Sequence, residues 1–139
     1  MVKKVLFICR HNSGRSQMAE AFLNTLGQGR FQAESAGLDP RPVDPRVVDA
    51  MSEIGYDLSR NVSKDVFSFF REGRLYDAVI TVCDVETEKD CPVFPGIVRR
   101  LSWPFADPAL VTDDEEEKKQ KVRVIRDAIM TIVMDFTVE

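Results

Sequence analysis

Apolar residues along this chain fall into short unbroken runs that alternate with stripes at helical spacing. The run VKKVLFI at 2–8 has the length and the continuous apolar character of a buried strand. A polar turn follows, Cys9-Arg10-His11-Asn12-Ser13-Gly14-Arg15. Over 16–27, Met18, Ala19, Phe22, Leu23 and Leu26 recur at helical spacing and Gly27 marks a stop, which predicts a helix. FQAESA at 31–36 reads as a second strand, and 37–45, with three prolines, as a loop. Asp44 ahead of Pro45 supplies an N-cap and a proline at the first helical position. A helix is therefore expected over roughly 45–55, with Val47, Val48, Met51 and Ile54 on one face. Within 63–75, Phe67, Phe69 and Phe70 suggest a short helix packed on the body.

The second half repeats the alternation. DAVITV at 77–82 predicts a strand, 83–96 a polar loop and 98–102 a weaker strand. Residues 113–136 predict a long helix, opened by a capping box at Thr112-Asp113-Asp114-Glu115. Glu115–Lys119 and Glu117–Lys121 stand at i,i+4, and Val122, Ile125, Ile129, Ile132, Val133 and Phe136 form its apolar stripe. Alternating strands and helices imply an α/β fold: a single domain over 1–139 with a central four-stranded parallel sheet flanked by helices on both faces. Ligands of such sheets bind beyond the carboxyl ends of the strands, where the Cys9 and Cys83 turns both fall.

Composition narrows the function classes. Nineteen Lys and Arg against 23 Asp and Glu give a net charge of −4, which argues against a nucleic-acid partner bound through overall positive charge. No apolar run approaches a membrane span, and the first one is too short for a signal-peptide core, so a cytoplasmic protein is expected; a monomer is expected as well. Three cysteines are an odd number, which argues against a closed disulfide framework. The ordinary fate of each is burial as a small hydrophobe.

Cys9, five residues, then Arg15 and Ser16 change that expectation for the first cysteine. The turn lies between a buried strand and a helix. Backbone N–H groups from Arg10, His11, Asn12, Ser13, Gly14 and Arg15 can converge there on an anion, with the helix N-terminus behind them. The Arg15 guanidinium can grip two oxygens of a tetrahedral oxyanion. The same field favours the thiolate form of Cys9, the nucleophile, and Ser16 can donate a hydrogen bond to it. Oxyanion chemistry at a cysteine also needs a proton donor for the departing oxygen, and Asp107, before Pro108, is the candidate. A metal site built from Cys9, Cys83, Cys91 and His11 lacks the usual close-spaced ligand pairs. As the lone histidine, His11 reads as a loop residue without a catalytic role.

Several stretches together carry a resemblance. Cys9-x5-Arg15-Ser16-Gln17-Met18-Ala19-Glu20, Ser35-Ala36-Gly37, Val82-Cys83, Cys91-Pro92 and Trp103-x3-Asp107-Pro108 resemble the thioredoxin-coupled arsenate reductases of the low-molecular-weight protein tyrosine phosphatase superfamily, over the whole chain. The resemblance implies an enzyme of arsenic detoxification that takes arsenate, with phosphate or sulfate able to occupy the same pocket. In its implied sequence Cys9 attacks arsenic while Asp107 protonates the departing oxygen. Cys83 then attacks Cys9 and arsenite leaves, and Cys91 attacks Cys83. Thioredoxin reduces the resulting Cys83–Cys91 disulfide. Two thiols supply the two electrons that the reduction needs. The loop between Cys83 and Cys91 has to move for that exchange.

The resemblance implies no tightly bound cofactor. Some members hold a potassium ion behind the turn through an Asn, a Glu, a Ser and an Asp; Asn12, Glu20 and Ser35 match. Lys64 stands at the fourth position, with Asp65 one step on, and a lysine ammonium can take the cation's place and charge. His11 also stands where the family often has glycine. The alternative is a tyrosine phosphatase working through a Cys9 phosphoenzyme, but Ala109-Leu110 follow Asp107-Pro108 where that branch carries tyrosines, so only weak hydrolysis of small aryl phosphates is expected. A non-enzymatic thiol sensor would leave Arg15, Ser16 and Asp107 without a purpose.

Overall fold

A computed structural model of the chain describes residues 1–83, 89–107 and 113–139. Eight elements follow in order: β1 (Lys3–Cys9), α1 (Arg15–Leu26), β2 (Phe31–Gly37), α2 (Pro45–Ser52), α3 (Val66–Arg71), β3 (Ala78–Thr81), β4 (Arg99–Ser102) and α4 (Glu115–Thr137). The strands form one sheet in the order β2-β1-β3-β4, and every pairing is parallel. The predicted α/β architecture is the one observed, with strand and helix ends within a few residues of expectation.

Strand order positions the site. The connection leaving β1 leads to β2 on one side, whereas β3 lies on the other. The carboxyl end of β1 is therefore a topological switch point, where diverging connections open a crevice. Cys9 ends β1, and Cys83 follows two residues after β3.

The sheet carries a core on each face. Val5, Phe7 and Cys9 point to one, packed under Met18 and Phe22 of α1, Val47 and Met51 of α2, and Val122, Ile129 and Val133 of α4. Leu6 and Ile8 point to the other, packed under Val66 and Phe69 of α3 with Tyr76 and Phe94. Strand alternation sends successive side chains to opposite cores, so a run without polar interruption suits β1. Gly27, at the end of α1, has no room for a side chain: an added Cβ would lie 2.8 Å from the Phe31 ring and 2.9 Å from the Leu23 carbonyl.

Asp44 caps α2 as expected, accepting from the Arg46 N–H at 2.9 Å, with Pro45 as the first helical residue. Such a cap stabilises by about 1 kcal/mol. Several expectations need correction. The cap of α4 is Asp114, which accepts from the Glu117 N–H at 3.0 Å, two residues later than the expected Thr112; Thr112 lies outside the described residues. Glu115 turns to Arg46 across to α2 at 2.8 Å, and Lys119 pairs with Glu116 at 3.6 Å, so Glu115–Lys119 is not the pair that forms. In the α4 stripe, Ile125 and Ile132 are only half-buried. Leu26 and Ile54 are exposed because each sits at or past a helix end. Only Phe69 of the three phenylalanines of α3 is buried, since a six-residue helix presents one narrow face. No helix among the described residues is long and apolar enough to cross a membrane.

Candidate functional site

The turn after β1 is held open from outside. Leu38 N–H donates to the Cys9 carbonyl at 3.3 Å, Asp39 N–H to Arg10 at 2.7 Å, Arg41 N–H to His11 at 3.1 Å and Asp44 N–H to Ser13 at 2.9 Å. The remaining carbonyl, of Asn12, accepts from Gln17 Nε2 at 3.1 Å and from the Ser63 hydroxyl at 2.9 Å. Five successive carbonyls therefore face outward. In a planar trans peptide the N–H points opposite to the carbonyl. The N–H groups of Arg10 through Gly14 are thus turned inward, toward the Cys9 sulfur. Asn12 N–H shows this directly, donating to Sγ at 3.2 Å.

Asn12 is the pivot. It is fully buried and takes φ 51°, the left-handed conformation that Asn accepts more readily than other side-chain-bearing residues. Its Nδ2 donates to Ser16 Oγ at 2.8 Å and to Ser35 Oγ at 2.9 Å. Ser16 Oγ accepts from Asn12 and lies 2.8 Å from Cys9 Sγ, so its hydroxyl is placed to donate to the sulfur as a thiolate. The expected Ser16–Cys9 contact is therefore present, with Asn12 holding the hydroxyl in place. Cys9 itself is 2% exposed.

Beyond the sulfur lies a cavity of about 20 Å³, lined by Cys9, His11, Ser13, Gly14, Arg15, Met18, Asp44, Val47 and Asp107. Asp107 thus joins a site whose other members lie far away in the chain. Arg15 is buried and donates from one guanidinium nitrogen to the Phe105 carbonyl at 2.7 Å, tying the Asp107 segment to the oxyanion turn. Arg10 and Asn12 are expected to act through their backbone N–H groups, which face inward; their side chains do not line the cavity, Arg10 being exposed and Asn12 committed behind the turn. Asp44 brings a carboxylate to the rim, paired with Arg46 at 2.9 Å. Arg46 is held firmly in its charged form, first by its hydrogen bond to Glu115 and then by the Asp44 charge. His11 Nδ1 lies 2.9 Å from the Asp39 carbonyl oxygen, which orients the ring at the mouth.

All three cysteines are thiols. The buried Cys83 lies in the same core as Cys9, its Sγ 3.8 Å from the carbonyl oxygen of Ile8, next to Cys9 in the chain. Cys91 is half-buried against the opposite core. Residues 84–88 of the predicted loop, and Pro108 with Ala109-Leu110, lie outside the described residues. A larger cavity, about 460 Å³, lies at the far end of the sheet among Lys3, Asp77, Arg99 and Glu139 and contains no thiol.

Several supporting residues had no role assigned from the sequence, although Gln17 and Gly37 stand in its motifs. Gln17 is fully buried and braces Asn12 while accepting from Asn61 Nδ2 at 3.0 Å. Ser63 reaches the Asn12 and Arg41 carbonyls. Gly37 lets β2 lie against the turn: a Cβ there would sit 2.7 Å from Asn12 N and 2.8 Å from the His11 carbonyl carbon. A buried glutamine carries no sequence signal, but a glycine closing a strand beside the turn does.

Comparison with known proteins agrees with this geometry. An arsenate reductase of Bacillus subtilis (strain 168) is 35% identical over 134 residues, spanning 96% of this chain and 94% of that protein. A solved arsenate reductase in the oxidized state superposes with a TM-score of 0.80 at 30% identity, covering 99% of this chain and 98% of that one. The thioredoxin-dependent arsenate reductase of Corynebacterium glutamicum superposes with a TM-score of 0.71 at 29% identity, covering 99% of this chain and 63% of that one. With residues 4–132 matching it, and with the Cys9 turn built as described, the chain belongs to the low molecular weight phosphotyrosine protein phosphatase family.

Proposed function

We propose that this protein is an arsenate reductase that works through Cys9, Cys83 and Cys91 and is regenerated by thioredoxin. The observation that carries the reading is the second thiol. Cys83 lies in the core that contains Cys9, with its sulfur near the peptide carbonyl adjoining that residue. A phosphatase needs a nucleophile, an arginine and an acid, but no second thiol.

Arsenate enters as a tetrahedral anion held by the inward N–H groups and by Arg15. The Cys9 thiolate forms a bond to arsenic, and one oxygen leaves as water after Asp107 gives it a proton. The Cys83 thiolate attacks Cys9 Sγ. The S–As bond breaks, its electron pair stays on arsenic, and As(V) becomes As(III) as the Cys9–Cys83 disulfide forms. The Cys91 thiolate attacks Cys83 and releases Cys9 as a thiolate. The Cys83–Cys91 disulfide then passes to the thioredoxin dithiol, whose two electrons balance the two taken by arsenic. A disulfide requires Cα atoms within about 7 Å, and Cys83 and Cys91 pack against opposite cores of the sheet, so the exchange calls for the loop between them to rearrange.

The test is NADPH consumption with arsenate, thioredoxin and thioredoxin reductase. Arsenate-dependent turnover is expected. Hydrolysis of para-nitrophenyl phosphate without arsenate-dependent turnover overturns the reading in favour of the phosphomonoesterase that the family name describes.

A further inference from the structure

Behind the oxyanion turn, away from the cavity, an ammonium group occupies a nest of oxygens. Lys64 Nζ lies 3.1 Å from Glu20 Oε1 and 3.4 Å from Ser35 Oγ. The Glu20 side chain is 17% exposed, so its charge is largely withdrawn from water. From Ser35 the path to the nucleophile is short. Asn12 Nδ2 bridges Ser35 Oγ and Ser16 Oγ, and Ser16 contacts the Cys9 sulfur. The Lys64 backbone adds two further ties: its N–H donates to Asn12 Oδ1 at 2.9 Å, and its carbonyl accepts from Gly37 N–H at 2.8 Å.

A potassium ion does not fit these residues. Asn12 Oδ1 already accepts two hydrogen bonds, from Lys64 N–H and from Gln17 Nε2 at 3.0 Å, which fill both lone pairs. Ser35 Oγ accepts from Asn12, and Glu20 already faces a full positive charge. A second monocation would meet the ammonium at contact distance with no oxygen left to pay for its dehydration.

We propose that Lys64 is a built-in cation: a positioning residue whose ammonium neutralises Glu20 and orders Ser35 and Asn12. The oxyanion turn therefore keeps its shape without any monovalent ion. Lys64 touches neither substrate nor sulfur and acts through Asn12 and Ser16.

The test uses the full-length reduced protein and inorganic phosphate as probe. Dissociation constants and melting temperatures are measured in potassium chloride and in choline chloride at equal ionic strength. Phosphate binding requires only the turn, so these readouts stand apart from arsenate reduction and from the thiol relay. Wild-type values are expected to be the same in both salts. Lys64→Met keeps the chain length but removes the charge. In choline chloride it should bind phosphate about tenfold more weakly, the lower end of what losing such a supporting contact costs. Potassium should recover part of the loss, because Glu20 and Ser35 are then released to a cation. A simple packing defect would not respond to the choice of salt. If Lys64→Met folds in neither salt, Glu20→Gln/Lys64→Met, which removes both charges, is expected to fold. A wild-type protein that binds phosphate more tightly in potassium overturns the proposal. So does a Lys64→Met protein with wild-type affinity in choline chloride, or a double variant that stays unfolded.

Discussion

Gly37→Ala is a one-carbon change that should separate catalysis from stability. The added Cβ would lie 2.7 Å from Asn12 N, 2.8 Å from the His11 carbonyl carbon and 3.0 Å from the Arg10 carbonyl oxygen. Ordinary contact begins near 3.4 Å, so the backbones must part by about 0.7 Å. None of the three atoms belongs to a flexible side chain. β2 is fixed by its register with β1, in which Gly37 faces Cys9 itself. The turn is thus the partner that yields, and its movement tilts the inward N–H groups. Misplacing reacting groups by about 1 Å can cost roughly 10²-fold, so kcat/KM should fall by about 10- to 100-fold. Overpacking should destabilise by about 1–3 kcal/mol. Gly55→Ala is the control. Gly55 has φ 90° with open space around its Cβ, so alanine there is strained by about 1–2 kcal/mol far from the turn. Urea titration and steady-state turnover of both variants decide the matter. Comparable stability loss with activity lost only in Gly37→Ala is expected. Gly37→Ala with wild-type kcat/KM would refute the reasoning.

Cys9→Ser should abolish reaction with arsenate, whereas Cys91→Ser should complete about one turnover and stall, read by arsenite formed per protein in a rapid-quench experiment; repeated turnover by Cys91→Ser with thioredoxin would exclude the relay. Asp107→Asn should slow the first chemical step by ~10²–10⁴-fold, the usual size of a general-acid contribution, checked in single-turnover mode. On the remote face, Glu53 is held below the usual carboxylate range, first by its hydrogen bond from Arg123 and then by that from Arg126. A carboxylate lowered in the folded state stabilises fully above its ordinary value of 4.5 and loses that contribution as pH falls through the folded value. Melting curves taken from neutral to acidic pH should therefore fall less steeply for Glu53→Gln than for wild type.

What could be read from the sequence follows from how local each signal is. The VLFIC run of β1 and the stripe from Val122 to Phe136 carry their own periodicity, so strand and helix were legible with their ends nearly in place. Cys9, Arg15 and Ser16 were legible because one turn holds all three. Asp107 was legible only through the chemistry that Cys9 and Arg15 require, since its approach to the turn depends on a tie made elsewhere, from Arg15 to the Phe105 carbonyl. The capping of α4 slipped from Thr112 to Asp114 because neighbouring Thr, Asp and Asp residues offer equivalent oxygens, and the choice among them is made by where Glu115 meets Arg46. Gln17 was invisible in its role. Its side chain works by meeting Asn12, Asn61 and Val62, and no spacing along the chain announces that.

The same contrast explains why Cys-x5-Arg alone does not make an oxyanion site. Five carbonyls must be drawn outward before five N–H groups can face inward, and none of the acceptors' partners lies within the turn. Residues 38–44 supply four of the donors, while Gln17 and Ser63 supply the fifth position. The prolines at 40, 42 and 45 limit the backbone freedom of that segment, and Gly37 brings it close enough to donate. Preorganisation of this kind places the cost of ordering the turn in folding rather than in binding, so an anion meets dipoles already aimed at it. Replacing Asp39 or Arg41 by proline leaves every cavity-lining residue intact but removes a donating N–H, and should still weaken oxyanion binding, because the outward hydrogen bonds hold the inward ones in place.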